Sequence, residues 1–159
     1  LEREEISLNK EPISLHSLLK ETAEGIQLAE NNVSINLALN AERDQVLVDK
    51  LHLRNVVTNL TDNAVKYCVD QPQIEIATYN VAQEICIEII DNGIGISPDH
   101  QKKIFNKFYR VPTGNVHDVK GFGLGLNYVN IIMQAHKGSV ELVESSQNGS
   151  RFKLTLKNA

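Results

Sequence analysis

Residues 74–98 read IEIATYNVAQEICIEIIDNGIGISP, and this stretch decides the fold. Apolar and β-branched side chains dominate residues 74–79 and 85–90, and a short polar turn separates the two segments. This pattern predicts a β-hairpin whose second strand runs directly into Asp91. Because a hairpin pairs antiparallel strands, the sheet that contains it is not the all-parallel sheet of a doubly wound fold.

Helical spacing of apolar residues on both sides of this hairpin predicts four helices, with Ser14, Asp49 and Ser97 as N-caps. Alternating apolar residues predict further strands, two of which form a second hairpin around residues 147–149. The order of these segments favours an α/β (α+β) two-layer sandwich, in which a mixed, mostly antiparallel sheet of about five strands carries three main helices on one face. The predicted helices cover residues 14–30, 49–67, 98–105 and 124–136, and the further strands cover residues 6–8, 33–39, 46–48, 138–144 and 150–156.

The size and composition are those of one globular domain. The chain has 159 residues, 42% of them hydrophobic and 23% charged, and its formal net charge is −4. It therefore lacks the basic character of a nucleic-acid binder, and it contains no apolar run long enough for a membrane span. Cys68 and Cys86 are too few for a zinc cluster or a disulfide framework, so we interpret them as buried apolar residues in a reducing compartment. Because the chain opens with Leu1, we expect a fragment in which residues 1–5 end a preceding helix and residues 6–159 form the domain.

Two asparagines and a lysine share one face of the second predicted helix. Asn59 and Asn63 are four residues apart, and Lys66 follows three residues later. An amide oxygen suits a Mg²⁺ ion that takes its remaining ligands from water and phosphates, and a nearby lysine can contact those phosphates. A solvated polar helix face explains this segment equally well when it is taken alone.

A carboxylate and two glycines follow the strand at residues 85–90. Asp91 can accept a hydrogen bond from an exocyclic amine such as that of adenine, and Gly93 and Gly95 let the backbone approach a ligand closely. The alternative is an ordinary tight turn between strand and helix. A dinucleotide-binding fingerprint is excluded, because its third glycine would fall on Pro98.

A glycine-rich run opens the fourth predicted helix. Residues 120–126 read KGFGLGL, and free backbone N–H groups at a helix start form an anion site to which Lys120 adds positive charge. The run is not a P-loop, and a flexible hinge is the alternative. The preceding residues 106–120 lack periodicity and are long enough for a mobile functional loop. Phe105, just before that loop, is either an anchor for it or an ordinary core residue.

The order and spacing of these segments resemble the catalytic ATP-binding domain of bacterial sensor histidine kinases. That domain belongs to the GHKL ATPase superfamily, together with type II topoisomerases, mismatch-repair ATPases and a chaperone class. The resemblance covers nearly the whole chain and implies the Bergerat-type ATP-binding fold. It is carried by an N box at residues 59–67, a G1 box at 91–95, an F box at 105–108, a G2 box at 121–125 and a final Gly149-Ser150 pair before the last strand.

The resemblance implies a role for each matching position. Asn63 should coordinate the Mg²⁺ that bridges the triphosphate, with Asn59 beside it, and Lys66 should contact phosphate; these three are the implied catalytic residues. Tyr67 should lie against the ribose or base, and Asp91 should bind the adenine amine. Further contacts with ATP are implied for Gly93, Gly95, Ile96, Phe108, Lys120, Gly121, Phe122, Gly123, Leu124, Gly125, Leu126 and Ser150, and residues 106–120 are the implied ATP lid.

Three positions distinguish this chain within the superfamily. Phe122 stands where such kinases often have Ser or Thr, so no side-chain hydroxyl can contact phosphate there, and Thr61 replaces a commonly apolar residue. Asn59 stands where the topoisomerase and chaperone relatives have a glutamate that activates water. Because an amide cannot accept a proton at neutral pH, we expect ATP to be held without rapid hydrolysis, which suits transfer to a protein acceptor.

The phosphoacceptor histidine of such kinases lies in a separate helical hairpin, and no histidine of this chain has its sequence context, although His117-Asp118 comes closest. The resemblance therefore implies phosphoryl donation to a histidine on a helical dimerisation domain of the same protein. It also implies a homodimeric full-length protein, a response regulator receiver domain as an indirect partner, a cytoplasmic location, and neither nucleic-acid binding nor direct membrane contact by this fragment. The alternatives are a non-catalytic nucleotide-sensing or scaffold module of the same fold and an anti-sigma-type serine kinase, the latter disfavoured by Asn59.

Overall fold

Seven strands and four helices make up the parts of the chain that the computed structural model describes, residues 6–106 and 125–159. None of these helices combines the length and the apolarity needed to cross a bilayer. The strands are β1 (Glu11–Ser14), β2 (Ser34–Leu39), β3 (Gln45–Val48), β4 (Gln73–Val81), β5 (Glu84–Asp91), β6 (Ser139–Ser146) and β7 (Gly149–Lys157). The helices are α1 (Leu15–Ala29), α2 (Lys50–Lys66), α3 (Pro98–Gln101) and α4 (Gly125–Ala135).

Five of the strands form one mixed sheet in the order β2-β4-β5-β7-β6. The pairs β4–β5 and β6–β7 are hairpins, and β5 also pairs antiparallel with β7. Among the described strands, only β2 lies parallel to its neighbour, since β3 and α2 supply the long crossover that parallel pairing needs. The predicted two-layer fold with a mostly antiparallel sheet of five strands is confirmed.

One face of this sheet is buried under α1, α2 and α4. The inward-facing side chains alternate along the strands, and Ile85, Ile87 and Ile89 of β5 are at most 1% exposed. Full burial of an aliphatic side chain of this size contributes about 1.5–3 kcal/mol. The opposite face carries polar side chains such as Glu88, whose carboxylate lies 3.5 Å from the Arg151 guanidinium. This alternation is the signal that makes both hairpins recognisable in the sequence.

Side-chain caps fix where α1 and α2 begin. The Ser14 hydroxyl accepts a hydrogen bond from the Ser17 backbone N–H at 3.2 Å, and the Asp49 carboxylate accepts one from the His52 N–H at 3.1 Å. Each bond satisfies a donor that the first turn of a helix leaves free, and such caps contribute about 1 kcal/mol. Both predicted caps are confirmed, whereas Ser97 precedes α3 without a side-chain capping bond.

The predicted strand at residues 6–8 is wrong. The first strand is Glu11–Ser14, and it pairs antiparallel with β3 in a separate two-stranded sheet. Three alternating residues carry too little periodicity to locate a strand, and Pro12 hides the real one because proline is compatible only with edge positions. The chain before β1 is held instead by a hydrogen bond from the Asn9 N–H to the Asp49 carboxylate at 2.8 Å.

Helix α3 is shorter than predicted. It ends at Gln101, and the next residues form turns in which the Lys103 N–H donates to the His100 carbonyl and the Asn106 N–H to the Lys103 carbonyl. Such i→i+3 bonds have poorer geometry than those of an α-helix and rarely extend far. Burial of Ile104 nevertheless anchors these turns to the core, which explains the apolar signal at this position.

A buried histidine connects the end of α4 to the start of α2. The Nδ1 atom of His136 lies 2.8 Å from the Ile132 carbonyl oxygen, and its Nε2 atom accepts the Asp49 backbone N–H at 3.0 Å. Because a carbonyl can only accept and an N–H can only donate, the ring is neutral with its proton on Nδ1. Burial disfavours the charged ring and lowers the pKa of His136.

We expect the free energy of unfolding to fall as the pH drops below about 6.5, the ordinary histidine pKa. In this range His136 binds a proton in the unfolded chain but stays neutral in the folded chain, so acid favours unfolding. Burial acts to raise the pKa of Asp49, but hydrogen bonds from Asn9 and His52 outweigh it and lower that pKa, so Asp49 stays ionised in this range. Urea unfolding at about pH 7.5 and about pH 5.5 should give a smaller loss of stability in His136→Gln than in the wild type. Equal losses in the two proteins would contradict the assignment.

Candidate functional site

Three segments that are distant in sequence form one hydrogen-bonded network after β5. The Ile94 N–H, in the loop that follows β5, donates to the Tyr67 carbonyl at the C-terminal end of α2 at 2.9 Å. The Ser150 N–H, at the start of β7, donates to the Asp91 carboxylate at 3.2 Å. The sheet therefore brings the end of the N box, the G1 box and the final Gly-Ser pair together.

The Asp91 carboxylate is fixed by main-chain donors. Its Oδ1 atom accepts the Gly93 N–H at 2.9 Å as well as the Ser150 N–H. Among the described residues, no hydrogen bond reaches the other carboxylate oxygen. Burial raises the pKa of Asp91, and the two N–H donors oppose that effect. The group is thus a held, half-buried acceptor with one oxygen available to a ligand.

Two glycines of the loop after β5 lie in close contact with neighbouring segments, tightly at position 93 and with no room for a side chain at position 95. A Cβ atom at position 93 would lie 3.0 Å from both the Asp91 carboxylate and the Tyr67 carbonyl oxygen. Gly95 has φ +77°, and a Cβ there would lie 1.9 Å from the Ser146 carbonyl oxygen. The loop therefore presents bare backbone next to Asp91, as the sequence predicts for a close approach to a ligand.

The β6–β7 turn is clamped against the end of β5. Gly149 has φ +134°, and a Cβ there would lie 1.8 Å from the Asp91 carbonyl oxygen. The buried Ser150 hydroxyl lies 2.8 Å from the Ser145 hydroxyl, which also accepts the Ile96 N–H at 2.6 Å. The turn consequently supports both the carboxylate and the glycine loop.

Asn59 faces the N-terminal end of α4. Its side-chain amide donates to the Asn55 carbonyl at 2.8 Å, one helical turn earlier. Its Oδ1 atom points the other way, because a Cβ on Gly125 would lie 3.4 Å from it. This amide oxygen therefore lies beside the backbone of Gly125, the first described residue of α4.

Asn63 and Lys66 continue the same face of α2 toward its C-terminal end. Asn63 is half-buried and Lys66 is exposed, and Tyr67 is the C-cap whose N–H donates to the Asn63 carbonyl at 3.1 Å. Burial raises the pKa of the neighbouring Asp62 carboxyl, and the Lys66 charge opposes that effect. Along α2, the Asn63 amide and the Lys66 charge therefore lie between Asn59 and the Tyr67 carbonyl that contacts the loop after β5.

The first residues of α4 connect to the segment after α3. The Asn127 side-chain amide donates to the Phe105 carbonyl at 3.1 Å, and the Phe105 ring meets Phe152 edge-on with centroids 6.3 Å apart. Leu126 and Ile96 are half-buried and pack against the main core. Of the two interpretations of Phe105, packing against the core is therefore the one that this contact supports.

Several predicted site residues lie outside the described residues. They are Phe108, Lys120, Gly121, Phe122, Gly123 and Leu124, together with His117 and all of the predicted lid except Asn106. The lid and the first part of the G2 box therefore remain predictions.

Asn92 and Ser145 were not identified from sequence, although both shape the site. The Asn92 side chain accepts the Gln73 N–H at 2.9 Å and donates to the Gln71 carbonyl at 3.1 Å, which ties the G1 box to the start of β4. Cys68 is half-buried rather than fully buried, and its thiol lies 3.3 Å from the Asn92 side-chain oxygen. Polar residues in strands and turns give no local signal for such contacts.

The donor set is compatible with a Mg²⁺ ion that is bound mainly through a ligand. Across residues 6–106 and 125–159, no three His, Cys, Asp or Glu side chains cluster as a metal site. Asn59 places a neutral amide oxygen near Gly125 of α4, and Mg²⁺ commonly takes one or two protein ligands and completes its octahedron with water and phosphate. The residues thus fit a metal that arrives with a phosphate-bearing ligand.

Residues 48–159 match the family described as histidine kinase-, DNA gyrase B- and HSP90-like ATPases. The chain belongs to this ATPase family. Sensor protein RprX of Bacteroides fragilis is 45% identical over 127 residues, which cover 79% of this chain and 24% of RprX. The chain therefore spans about a quarter of the length of that relative. The family inferred from the N, G1, F and G2 boxes is confirmed.

Solved structures show the same fold. The mycobacterial sensor histidine kinase MprB superposes with a TM-score of 0.79 at 22% identity, covering 92% of this chain and 97% of that chain. Full-length ShkA in complex with AMPPNP superposes with a TM-score of 0.81 at 24% identity, covering 97% of this chain and 32% of ShkA. At these identities the likeness concerns the fold, and it confirms the predicted architecture of the ATPase family.

Gly149→Ala should destabilise this ATPase domain by at least about 1–3 kcal/mol, because only glycine readily adopts its backbone conformation and the added Cβ meets the Asp91 carbonyl. Gly25→Ala is the matched control, since Gly25 lies within α1 with nothing within 4 Å of an added Cβ. Removing a mid-helix glycine should stabilise the domain by about 0.5–1 kcal/mol. Urea unfolding measures both changes, and equal stability of Gly149→Ala and the wild type would contradict the clamp.

Proposed function

We propose that this chain binds Mg²⁺-ATP and donates the γ-phosphoryl group to a histidine on a separate helical dimerisation domain, as the ATP-binding part of a sensor histidine kinase. The observation that carries the proposal is the Asp91 carboxylate, held by two backbone N–H groups after β5. A fixed acceptor beside bare backbone suits the exocyclic amine of adenine. Membership of the ATPase family and the likeness to ShkA, solved with AMPPNP, support the same ligand.

The base end of the proposed site is built on the sheet. Asp91 accepts the adenine amine, and the backbone at Gly93 and Gly95 leaves room for the ring. Ile96 supplies an apolar contact, and Tyr67, whose carbonyl holds this loop, lies against the ribose or base. Because the loop is bonded to both α2 and the β6–β7 hairpin, the pocket is formed before the nucleotide arrives.

The phosphate end of the proposed site is built on α2 and α4. Asn63 supplies an amide oxygen to Mg²⁺ with Asn59 beside it, and Lys66 contacts a phosphate. The metal, when bound, neutralises charge on the triphosphate. Backbone N–H groups at the start of α4, from Gly125 onward, bind phosphate oxygens because the positive end of the helix dipole faces them.

The identity of Asn59 favours transfer over hydrolysis. An amide does not take a proton from water, so no general base is present at this position. Loss of a positioned base costs on the order of 10²–10⁴ in rate. Phosphoryl transfer itself needs chiefly orientation and charge neutralisation, which backbone donors and a lysine supply. We therefore propose that bound ATP is retained until an acceptor side chain reaches it.

The rest of the proposal concerns a protein longer than this chain. RprX is about four times as long as the segment of it that matches. We propose that residues 6–159 form the ATP-binding domain and that residues 1–5 are the end of the helical hairpin that carries the acceptor histidine. The full-length protein is a homodimer, and a response regulator receives the phosphoryl group afterwards. Because the nucleotide is cytosolic ATP, the domain works on the cytosolic side.

Asp91→Asn should weaken ATP binding by about 1–3 kcal/mol, because a rotated amide presents its NH₂ group to the adenine amine and the two backbone donors lose a charged acceptor. GTP, which carries a carbonyl where ATP carries the amine, should lose less. Isothermal titration with both nucleotides measures the difference. Asp99→Asn, at an exposed position of α3, is the matched charge control and should change neither affinity. Unchanged ATP affinity in Asp91→Asn would remove Asp91 from the base pocket.

The isolated chain should bind ATP without acquiring acid-labile phosphate, and adding the helical hairpin of the full-length protein in trans should produce label on that hairpin. Transfer should be slow, because the covalent tether that raises the effective concentration is missing. A time course with γ-labelled ATP checks this. Stoichiometric acid-labile label on the isolated chain would overturn the external acceptor. ATP binding with no transfer to the hairpin would favour a non-catalytic nucleotide-sensing module.

A further inference from the structure

A tyrosine hydroxyl of α4 lies between two polar side chains of α2. The Tyr128 hydroxyl is 2.6 Å from His52 Nδ1, and it accepts a hydrogen bond from the Asn55 side-chain amide at 3.5 Å. The rings of Tyr128 and His52 are in contact as well, with centroids 5.9 Å apart and planes tilted by 41°. Neither Tyr128 nor His52 belongs to the motifs that predict the nucleotide site.

This contact lies near the predicted phosphate site, because Asn55 and His52 are about one and two helical turns before Asn59 on α2, and Tyr128 is about one turn after Gly125 on α4. On α2, the Asn55 carbonyl accepts the side-chain amide of Asn59 at 2.8 Å, which turns the Asn59 oxygen toward α4. On α4, Gly125 lies three residues before Tyr128, and a Cβ there would lie 3.4 Å from that oxygen. The Tyr128 hydroxyl and the close approach of Asn59 to Gly125 therefore occupy neighbouring positions between the same two helices.

Much of the remaining α2–α4 packing is apolar, although at the other end of the pair His136, just after α4, accepts the Asp49 N–H at the start of α2. Buried residues such as Val56 and Leu60 of α2 and Val129 and Ile132 of α4 belong to one core cluster. Hydrophobic contact is not directional, so it does not by itself fix how far α4 is shifted or rotated relative to α2. A hydrogen bond does fix this, because its energy falls steeply with distance and angle.

We propose that Tyr128 and His52 are positioning residues for the phosphate end of the nucleotide site. Their hydrogen bond sets the distance and rotation between Asn59 on α2 and the backbone N–H groups at the start of α4. The inference rests on the proposed function, since it assigns these groups to phosphate and metal binding. The base pocket depends on β5, β7 and the Tyr67 carbonyl, so it does not depend on this hydrogen bond.

Tyr128→Phe is the direct test, because it keeps the ring and removes only the hydroxyl. Calorimetry should give Mg²⁺-ATP binding weakened by about three- to tenfold, the range expected for one lost hydrogen bond, while binding of adenosine stays unchanged. In the transfer assay KM for Mg²⁺-ATP should rise accordingly. A purely structural role would weaken adenosine and Mg²⁺-ATP together, and that outcome would overturn the proposal.

Matched variants separate the hydroxyl from general effects of substitution. Tyr79→Phe also removes a hydrogen-bonded hydroxyl, 2.5 Å from Glu88, but on the polar face of the sheet, so it should change neither affinity. His52→Leu should reproduce Tyr128→Phe, whereas His52→Asn places a polar atom near the Nδ1 position and should restore most of the Mg²⁺-ATP affinity. His52→Asn no better than His52→Leu would contradict the proposal.

Different outcomes of these titrations would contradict the proposed function and the positioning role of Tyr128. A wild-type chain that binds neither adenosine nor Mg²⁺-ATP would overturn the proposed function together with this inference. A wild type that binds both, with Tyr128→Phe that folds normally and keeps full Mg²⁺-ATP affinity, would overturn the positioning role alone. Thermal unfolding of each variant establishes that it is folded at the temperature of the titration.

Discussion

The close approach of the β6–β7 turn to the end of β5 is the constraint on which the rest of the site depends. No side chain fits at Gly149, because a Cβ would lie 1.8 Å from the Asp91 carbonyl oxygen, and the next residue, Ser150, donates its N–H to the Asp91 carboxylate. The adjacent Ser145 and Ser146 contact the glycine loop just as closely. A Cβ on Gly95 would lie 1.9 Å from the Ser146 carbonyl oxygen, and the Ser145 hydroxyl accepts the Ile96 N–H. Since β5 and β7 are paired along their length, the register of this pairing determines the position of the Asp91 carboxylate relative to Ser150.

Local periodicity accounts for most of what the sequence predicts of the fold. The two hairpins, α1 and α2 are recognisable because one face of each is buried and a turn or capping residue ends the pattern, as Ser14 and Asp49 do. What periodicity cannot supply is pairing between distant strands. β1 is four residues long, contains Pro12, and has its partner in β3, so the local pattern predicts a strand at residues 6–8 instead. The end of α3 at Gln101 likewise depends on turns packed through Ile104.

The residues of the site also divide into those that the sequence predicts and those that only the folded chain reveals. Asn59, Asp91 and Gly95 are predicted because they match the N and G1 boxes of the family, whereas a polar helix face or a tight turn would also explain each segment alone. Ser145 and Tyr128 are not, because each acts through a neighbour far away in sequence: Ser145 through the Ile96 N–H and Tyr128 through His52. A serine in an edge strand and an aromatic residue in a helix are ordinary in themselves, so only the folded chain reveals their partners.

The two ends of the proposed nucleotide site therefore have different physical supports. The base end is held by strand register and by backbone N–H groups that donate to the Asp91 carboxylate, the Ser145 hydroxyl and the Tyr67 carbonyl. The phosphate end lies between two helices whose apolar contact is not directional. Two hydrogen bonds connect that helix pair, one from the Asp49 N–H at the start of α2 to His136 and one between Tyr128 and His52, and Asn59 lies close to Gly125. A shift of α4 relative to α2 would thus alter the proposed phosphate and metal contacts, whereas the proposed base end, held by β5, β7 and the Tyr67 carbonyl, would keep its geometry.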